Sequence, residues 1–89
     1  MQSKYFVEVS EELDKKFFKL KRKNKHLLVV IWKKVEEIRV NPYHYKPLKG
    51  KMKGIRRVHI DKHFVLIFSV VEKRNVVLLL DFDHHDTIY

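Results

Sequence analysis

Six histidines stand among the 89 residues of this chain, His26, His44, His59, His63, His84 and His85. Imidazole exchanges protons near neutrality, so these are the side chains best suited to acid–base work. Two of them lie in the closing stretch Asp83-His84-His85-Asp86-Thr87-Ile88-Tyr89. Chain ends usually fray, and groups placed there are usually idle. This tail is therefore a solvated end, a metal cluster or half of an active site. If the last strand continues through it, Asp81, Asp83 and His85 share one face, and Phe82, His84 and Asp86 the other. Two carboxylates and an imidazole can hold a divalent ion. Asp-x-Asp-x-His is a loose pattern, however, and acids at strand ends are common without a metal, so no metal ligand and no cofactor is assigned.

The reading without a metal asks for a different set of groups. Cleaving RNA through its 2′-hydroxyl needs a base for that hydroxyl, cations for the extra phosphorane charge and an acid for the leaving 5′-oxygen. His59, His63 and His85 can serve the two proton roles. Lys49, Lys51, Lys53, Arg56 and Arg57 stand close to the first two in sequence and suit the charge role. His44 lies between Tyr43 and Tyr45, where an aromatic can stack on a base, or where a polar loop residue would do equally well. His26 falls in a helical hairpin and reads as structural.

Charge is unevenly spread. The formal net charge is +9. Between residues 46 and 63, Lys46, Lys49, Lys51, Lys53, Arg56, Arg57 and Lys62 face a single acid, Asp61. Such a stretch fits a polyanion, because phosphate contacts release counterions; it also fits a strand edge guarded by lysines against aggregation. The absence of cysteine excludes disulfides, thiolate catalysis and zinc sites of the Cys type. No apolar run reaches the length of a membrane span, and the first ten residues lack the apolar core of a signal peptide, which together fit a cytoplasmic protein.

The elements that must position these groups follow from periodicity. Residues 4–9 alternate as a strand, with Tyr5, Val7 and Val9 on one face. Ser10 caps a helix whose first turn holds Glu11, Glu12 and Asp14 and whose apolar stripe is Leu13, Phe17 and Leu20. Asn24 caps a second helix from Lys25 to Val40, with Leu27, Leu28, Ile31, Val35 and Ile38 inward, stopped at Asn41-Pro42. Three strands follow: "IRRVHI", "FVLIFSVV" and "VVLLLDF", the last two joined by a tight turn with Asn75 in a left-handed conformation. "IRRVHI" places Arg57, His59 and Asp61 on one face and Arg56, Val58 and Ile60 on the other. The last two strands are apolar on both faces, so the face away from the helices needs cover as well, which a partner segment can supply. The expected fold is a single α+β domain over residues 1–89, ordered β-α-α-β-β-β, with the helices on one face of a twisted antiparallel sheet.

Together, "NPYHYKPLKGKMKGIRRVHIDKHFVLIFSV" and "DFDHHDTIY" resemble the RelE/ParE toxin superfamily, and within it the RelE and YafQ-type messenger-RNA interferases of type II toxin–antitoxin pairs. The resemblance lies in Pro47-Leu48-Lys49-Gly50, in Arg56 through His59-Ile60, in Ile67-Phe68, and in His85 four residues before Tyr89. It implies a ribosome-dependent, metal-independent endoribonuclease acting on messenger RNA in the ribosomal A site. It further implies a cognate antitoxin that wraps the helices and sheet in a hetero-oligomer. Carried over by position, it makes His59 and His85 the acid–base pair and Tyr89 the terminal aromatic that positions a nucleotide. Phe64, Lys46 and the basic stretch then form the RNA-binding set. The pattern departs at Lys46, where a histidine is common, at His63, where an aspartate is expected, and at Asp81, where a base is usual. His63 or Arg57 stands in for the arginine that RelE relatives carry in the strand "HFVLIF". Two other readings stay open: a ParE-like toxin that poisons gyrase, whose relatives generally lack this histidine set, and a catalytically decayed RNA- or antitoxin-binding relative.

Overall fold

The computed structural model describes residues 4–48 and 54–88. Strand β1 (Phe6–Val9) leads into helices α1 (Glu11–Lys23) and α2 (Lys25–Val40), then strands β2 (Ile55–Ile60), β3 (Phe64–Val71) and β4 (Val76–His84), and a closing helical turn α3 (His85–Ile88). Each helix starts where a capping side chain accepts a free N–H. Ser10 Oγ takes the Leu13 N–H and Asn24 Oδ1 the Leu27 N–H, both at 3.1 Å. A 3-10 turn at Pro42–His44 follows α2, since proline cannot continue the helical ladder.

The sheet runs β1-β4-β3-β2. Both hairpin pairs are antiparallel, but β1 lies parallel to β4, with Phe6 opposite Val76 and Val9 opposite Leu79. The sheet is thus mixed rather than antiparallel throughout. The cause is the helical hairpin, which returns the chain so that β4 runs alongside β1 in the same direction. Asn75 closes the β3–β4 connection at φ 55°, ψ 46°, and Asp61 takes φ 56° in the β2–β3 turn. Asn and Asp are the non-glycine residues that accept this region most readily.

The helices supply the cover for one sheet face. Leu13, Phe17, Leu27, Ile31, Val35 and Ile38 pack on Val58, Ile60, Leu66, Phe68, Val77, Leu79 and Phe82. On the opposite face Leu48 lies over Val65 and Ile67, flanked by Ile55 and Leu80. Part of the cover expected from a partner therefore comes from the chain itself, through the loop held by the Pro47–Arg56 bridge. One irregularity matters for the site. Ile67 pairs with Asp81 but Phe68 pairs with Leu79, so Leu80 is an extra residue that bends β4.

Candidate active site

His59 stands near the end of β2, on the face opposite buried Val58 and Ile60. Its cross-strand neighbour is Val65, which in turn pairs with Asp83 of β4. One more step along the chain β4 ends, and His85 starts α3. Strand alternation therefore stops at His84, two residues short of the Asp86 expected if the strand continued. His85 does not simply continue the row of Asp81 and Asp83; the helical turn folds it towards the β2–β3 turn, where its N–H donates to the His63 carbonyl at 2.8 Å. The imidazoles of His59 and His85 come to rest stacked, with ring centroids 5.6 Å apart and planes inclined by 25°.

The two rings border an open cavity of about 260 Å³ that is also lined by Lys62, His63, His84 and Asp86. All three histidines singled out for proton chemistry thus meet at one place. Asp86 Oδ1 lies 3.6 Å from His85 Nδ1. His84 also lies against Phe64 at 4.6 Å between centroids, while Phe64 stacks on Phe82 at 5.0 Å. Phe64 accordingly forms the wall beneath His84.

A second cavity of about 350 Å³ adjoins the first through His59 and is lined by His44, Tyr45, Lys46, Arg57 and Val58. Lys46 and Arg57 give it its positive charge, and the Arg57 N–H bonds the Lys46 carbonyl at 3.0 Å, fixing both at the β2 edge. Arg56 points elsewhere. Its guanidinium donates to the Tyr45 carbonyl at 2.6 Å and sits 5.0 Å from the centre of the Tyr43 ring, bracing the loop that carries His44. Tyr43 in turn donates to Glu72, as does Tyr5 at 2.8 Å. That shared carboxylate pushes Tyr43 up to about 12, with Glu72 itself held below its ordinary range by the two phenols. His26 is exposed at the start of α2 and lines a separate cavity with Asp61 and Phe64. Lys49, Lys51, Lys53 and Tyr89 lie outside the described residues.

Asp81 and Asp83, the carboxylates of the metal reading, face a lysine. Lys16 of α1 donates to Asp81 Oδ1 at 2.7 Å, to the Phe82 carbonyl at 3.0 Å and to Asp83 Oδ2 at 3.2 Å. Among the described residues no group of three His, Asp or Glu side chains converges as a metal site. Lys16 was not singled out from sequence, though a signal was there. It lies three residues after Leu13 and four before Leu20, on the apolar stripe of α1 itself, where a charge needs a partner. Burial works against the Lys16 ammonium, yet its bonds to Asp81 and Asp83 outweigh that and raise its pKa. The His84 N–H, and then Lys16, hold the Asp83 carboxyl below its ordinary range.

Comparison with known proteins places this arrangement. The family described as the ParE toxin of type II toxin–antitoxin systems, parDE, matches residues 7–89. A Methanosarcina mazei protein of uncharacterised role is 54% identical over 85 residues, covering 96% of this chain and 99% of its own. A Methanocaldococcus jannaschii protein bearing the name "Putative toxin RelE4" is 49% identical, covering 96% and 90%. Among solved structures, a chain of the RelBE2 toxin–antitoxin complex from Mycobacterium tuberculosis superposes with a TM-score of 0.78 at 18% identity, covering 93% of this chain and 100% of that one. The isolated E. coli RelE toxin gives 0.76 at 20% identity, covering 90% and 83%. These structural likenesses establish the fold; the family match over nearly the whole chain establishes descent. The chain belongs to the ParE toxin family, within the RelE/ParE superfamily of type II toxin–antitoxin toxins.

Proposed function

We propose that this toxin is a metal-independent endoribonuclease that cleaves messenger RNA in the ribosomal A site, by attack of a 2′-hydroxyl on the adjacent phosphorus. The observation that carries the reading is the stacked pair of His59 and His85 beside a basic cavity. One neutral imidazole takes the 2′-hydroxyl proton as the 2′-oxygen bonds to phosphorus. The bond from phosphorus to the 5′-oxygen breaks, and the other imidazole, charged, gives that oxygen its proton. The products are a 2′,3′-cyclic phosphate and a 5′-hydroxyl end. His63 lies at the rim of the same cavity as a third proton carrier, and Tyr89 is assigned to nucleotide positioning. Lys46 and Arg57, with Lys49, Lys51 and Lys53, meet the phosphates; Arg56 braces their loop and Phe64 backs the cavity wall. A cognate antitoxin holds the toxin inactive in a cytoplasmic hetero-oligomer.

The test is expression without antitoxin, followed by mapping of transcript ends. New 5′-hydroxyl ends within translated codons support the reading. The name of the matching family favours a second activity, gyrase poisoning, which would instead produce gyrase–DNA complexes with transcripts intact.

A further inference from the structure

We propose that Lys16 is a positioning residue for His85: its three-point bond to Asp81, Phe82 and Asp83 holds the free end of β4 so that the two imidazoles meet. Its catalytic readout rests on the ribonuclease reading, and its structural readout does not.

The need for such a device comes from the topology. β1 accompanies β4 only as far as Val9 opposite Leu79. From Leu80 onward, β4 has β3 on one side and, among the described residues, no strand on the other, and the extra residue at Leu80 bends it just there. A strand end with a bulge and one open edge is where pairing loosens first. His85 sits directly beyond this segment, so any swing of the strand end is carried into the imidazole.

Helix α1 closes the open edge in two steps. Ser10 comes first: its N–H donates to the Leu79 carbonyl at 2.9 Å and its Oγ to the Leu80 carbonyl at 2.7 Å. Lys16 completes the closure. An ammonium has three N–H donors, and here all three have acceptors, two carboxylates and one backbone carbonyl. The carboxylates are tied back to the strand as well, since Asp81 Oδ1 accepts the Phe82 N–H and Asp83 Oδ1 the His84 N–H, both at 2.8 Å. The edge groups of β4 therefore converge on one cation rather than on a strand. Lys16 is chemically suited to little else in this place. Its charge is matched by two acids, so it adds little to the attraction of RNA. Partly exposed ion pairs also add little to global stability. What remains is geometry, and a displacement of about 1 Å away from the chemistry can cost about 100-fold in rate.

The experiment compares wild type, Lys16→Met and Lys16→Arg on two readouts. The first is the ring-proton NMR shifts of His59 and His85, which their mutual stacking displaces and which need no RNA. The second is single-turnover cleavage of ribosome-bound messenger RNA alongside binding affinity. Lys16→Met should move the His59 and His85 ring signals, lower the rate by about 10- to 100-fold and leave affinity within about 2-fold, with Lys16→Arg restoring both signals and rate. Unmoved ring signals in Lys16→Met overturn the proposal, whether or not the rate falls, because a rate loss without displacement would make Lys16 an RNA contact. If Lys16→Met does not fold, the Asp81→Asn/Asp83→Asn double variant removes the same attraction at constant shape, and the same ring displacement is required of it. Should the wild type cut no RNA, the ribonuclease reading fails while the NMR comparison still decides the clamp.

Discussion

The His85 N–H bonds the carbonyl of His63 at 2.8 Å, so a main-chain bond fastens the closing turn to the β2–β3 turn. A side chain can be changed at either position without cutting that bond. This separates chemistry from architecture at the site, and makes substitution of the imidazoles a clean experiment.

His59→Ala and His85→Ala should each lower single-turnover cleavage by about 100- to 10,000-fold, with little change in binding to ribosomes. Because the two act on one reaction, the double variant should fall well short of the product of the single losses. Normal cleavage by His85→Ala would remove it from the mechanism. His63→Ala distinguishes a rim residue from a partner: a loss much smaller than that of the stacked pair is expected.

Lys46→Ala should act on affinity rather than on the saturated rate. Each phosphate contact contributes about 0.7 to the salt slope of single-stranded binding, so the slope should flatten by about that amount. An unchanged slope would place Lys46, and the cavity it shares with Arg57 and His59, outside the RNA path.

Proton transfer assigned to side chains needs no bound cation. RNA cleavage should therefore survive excess chelator, provided the ribosomes are kept intact by a separately controlled polyamine buffer. Activity lost and restored by one particular metal ion would sink the imidazole mechanism.

The Lys16 clamp predicts a pH window for stability. Asp83 is depressed below its ordinary value of 3.8, so its contribution is complete above 3.8 and is lost as pH falls below it. Lys16 is raised above 10.5, so its contribution is complete below 10.5 and is lost as pH climbs beyond. Thermal melting of Asp83→Asn should thus show a flatter acid limb than wild type, and Lys16→Met a flatter alkaline one. Tyr43, pushed up to about 12, also loses its contribution in the alkaline range, so the Lys16 comparison belongs in a Tyr43→Phe background. Limbs of equal slope would show that the clamp carries no linked protons.

Phe68→Ala serves as the folding control. Its ring is fully buried between helices and sheet, and truncation should cost about 3–5 kcal/mol. A soluble, cooperatively melting variant of near-normal stability would contradict the packing described.

Local chemistry was the legible part of this chain. Ser10, Asn24, Pro42 and Asn75 announce their roles because a cap, a stop or a left-handed turn is decided within a few residues. The shared cleft of His59, His63 and His85 was also foreseeable, with the superfamily resemblance supplying the pairing. What stayed hidden is non-local. Nothing near Phe6–Val9 shows that its partner lies at Val76–Leu79, or that the pairing is parallel. Strand alternation around Asp81 and Asp83 gave no notice that Leu80 is extra or that the strand ends at His84, because a bulge is a property of two strands and appears in neither alone. The partners of Lys16 were hidden for the same reason, since they lie 65 residues or more along the chain.

That separation has a consequence for how the molecule comes into being on the ribosome. β1 is made early, yet it cannot pair until β4 has been synthesised, and Lys16 and His59 likewise wait for Asp81, Asp83 and His85. A nascent chain that has produced both helices and β2 holds one imidazole of the pair and none of the strand that seats the other. Contacts this distant in sequence also form late and slowly once the chain is free. Completion of the fold and completion of the stacked imidazole pair are thereby one event, so on the proposed ribonuclease reading an unfinished chain lacks half of its site.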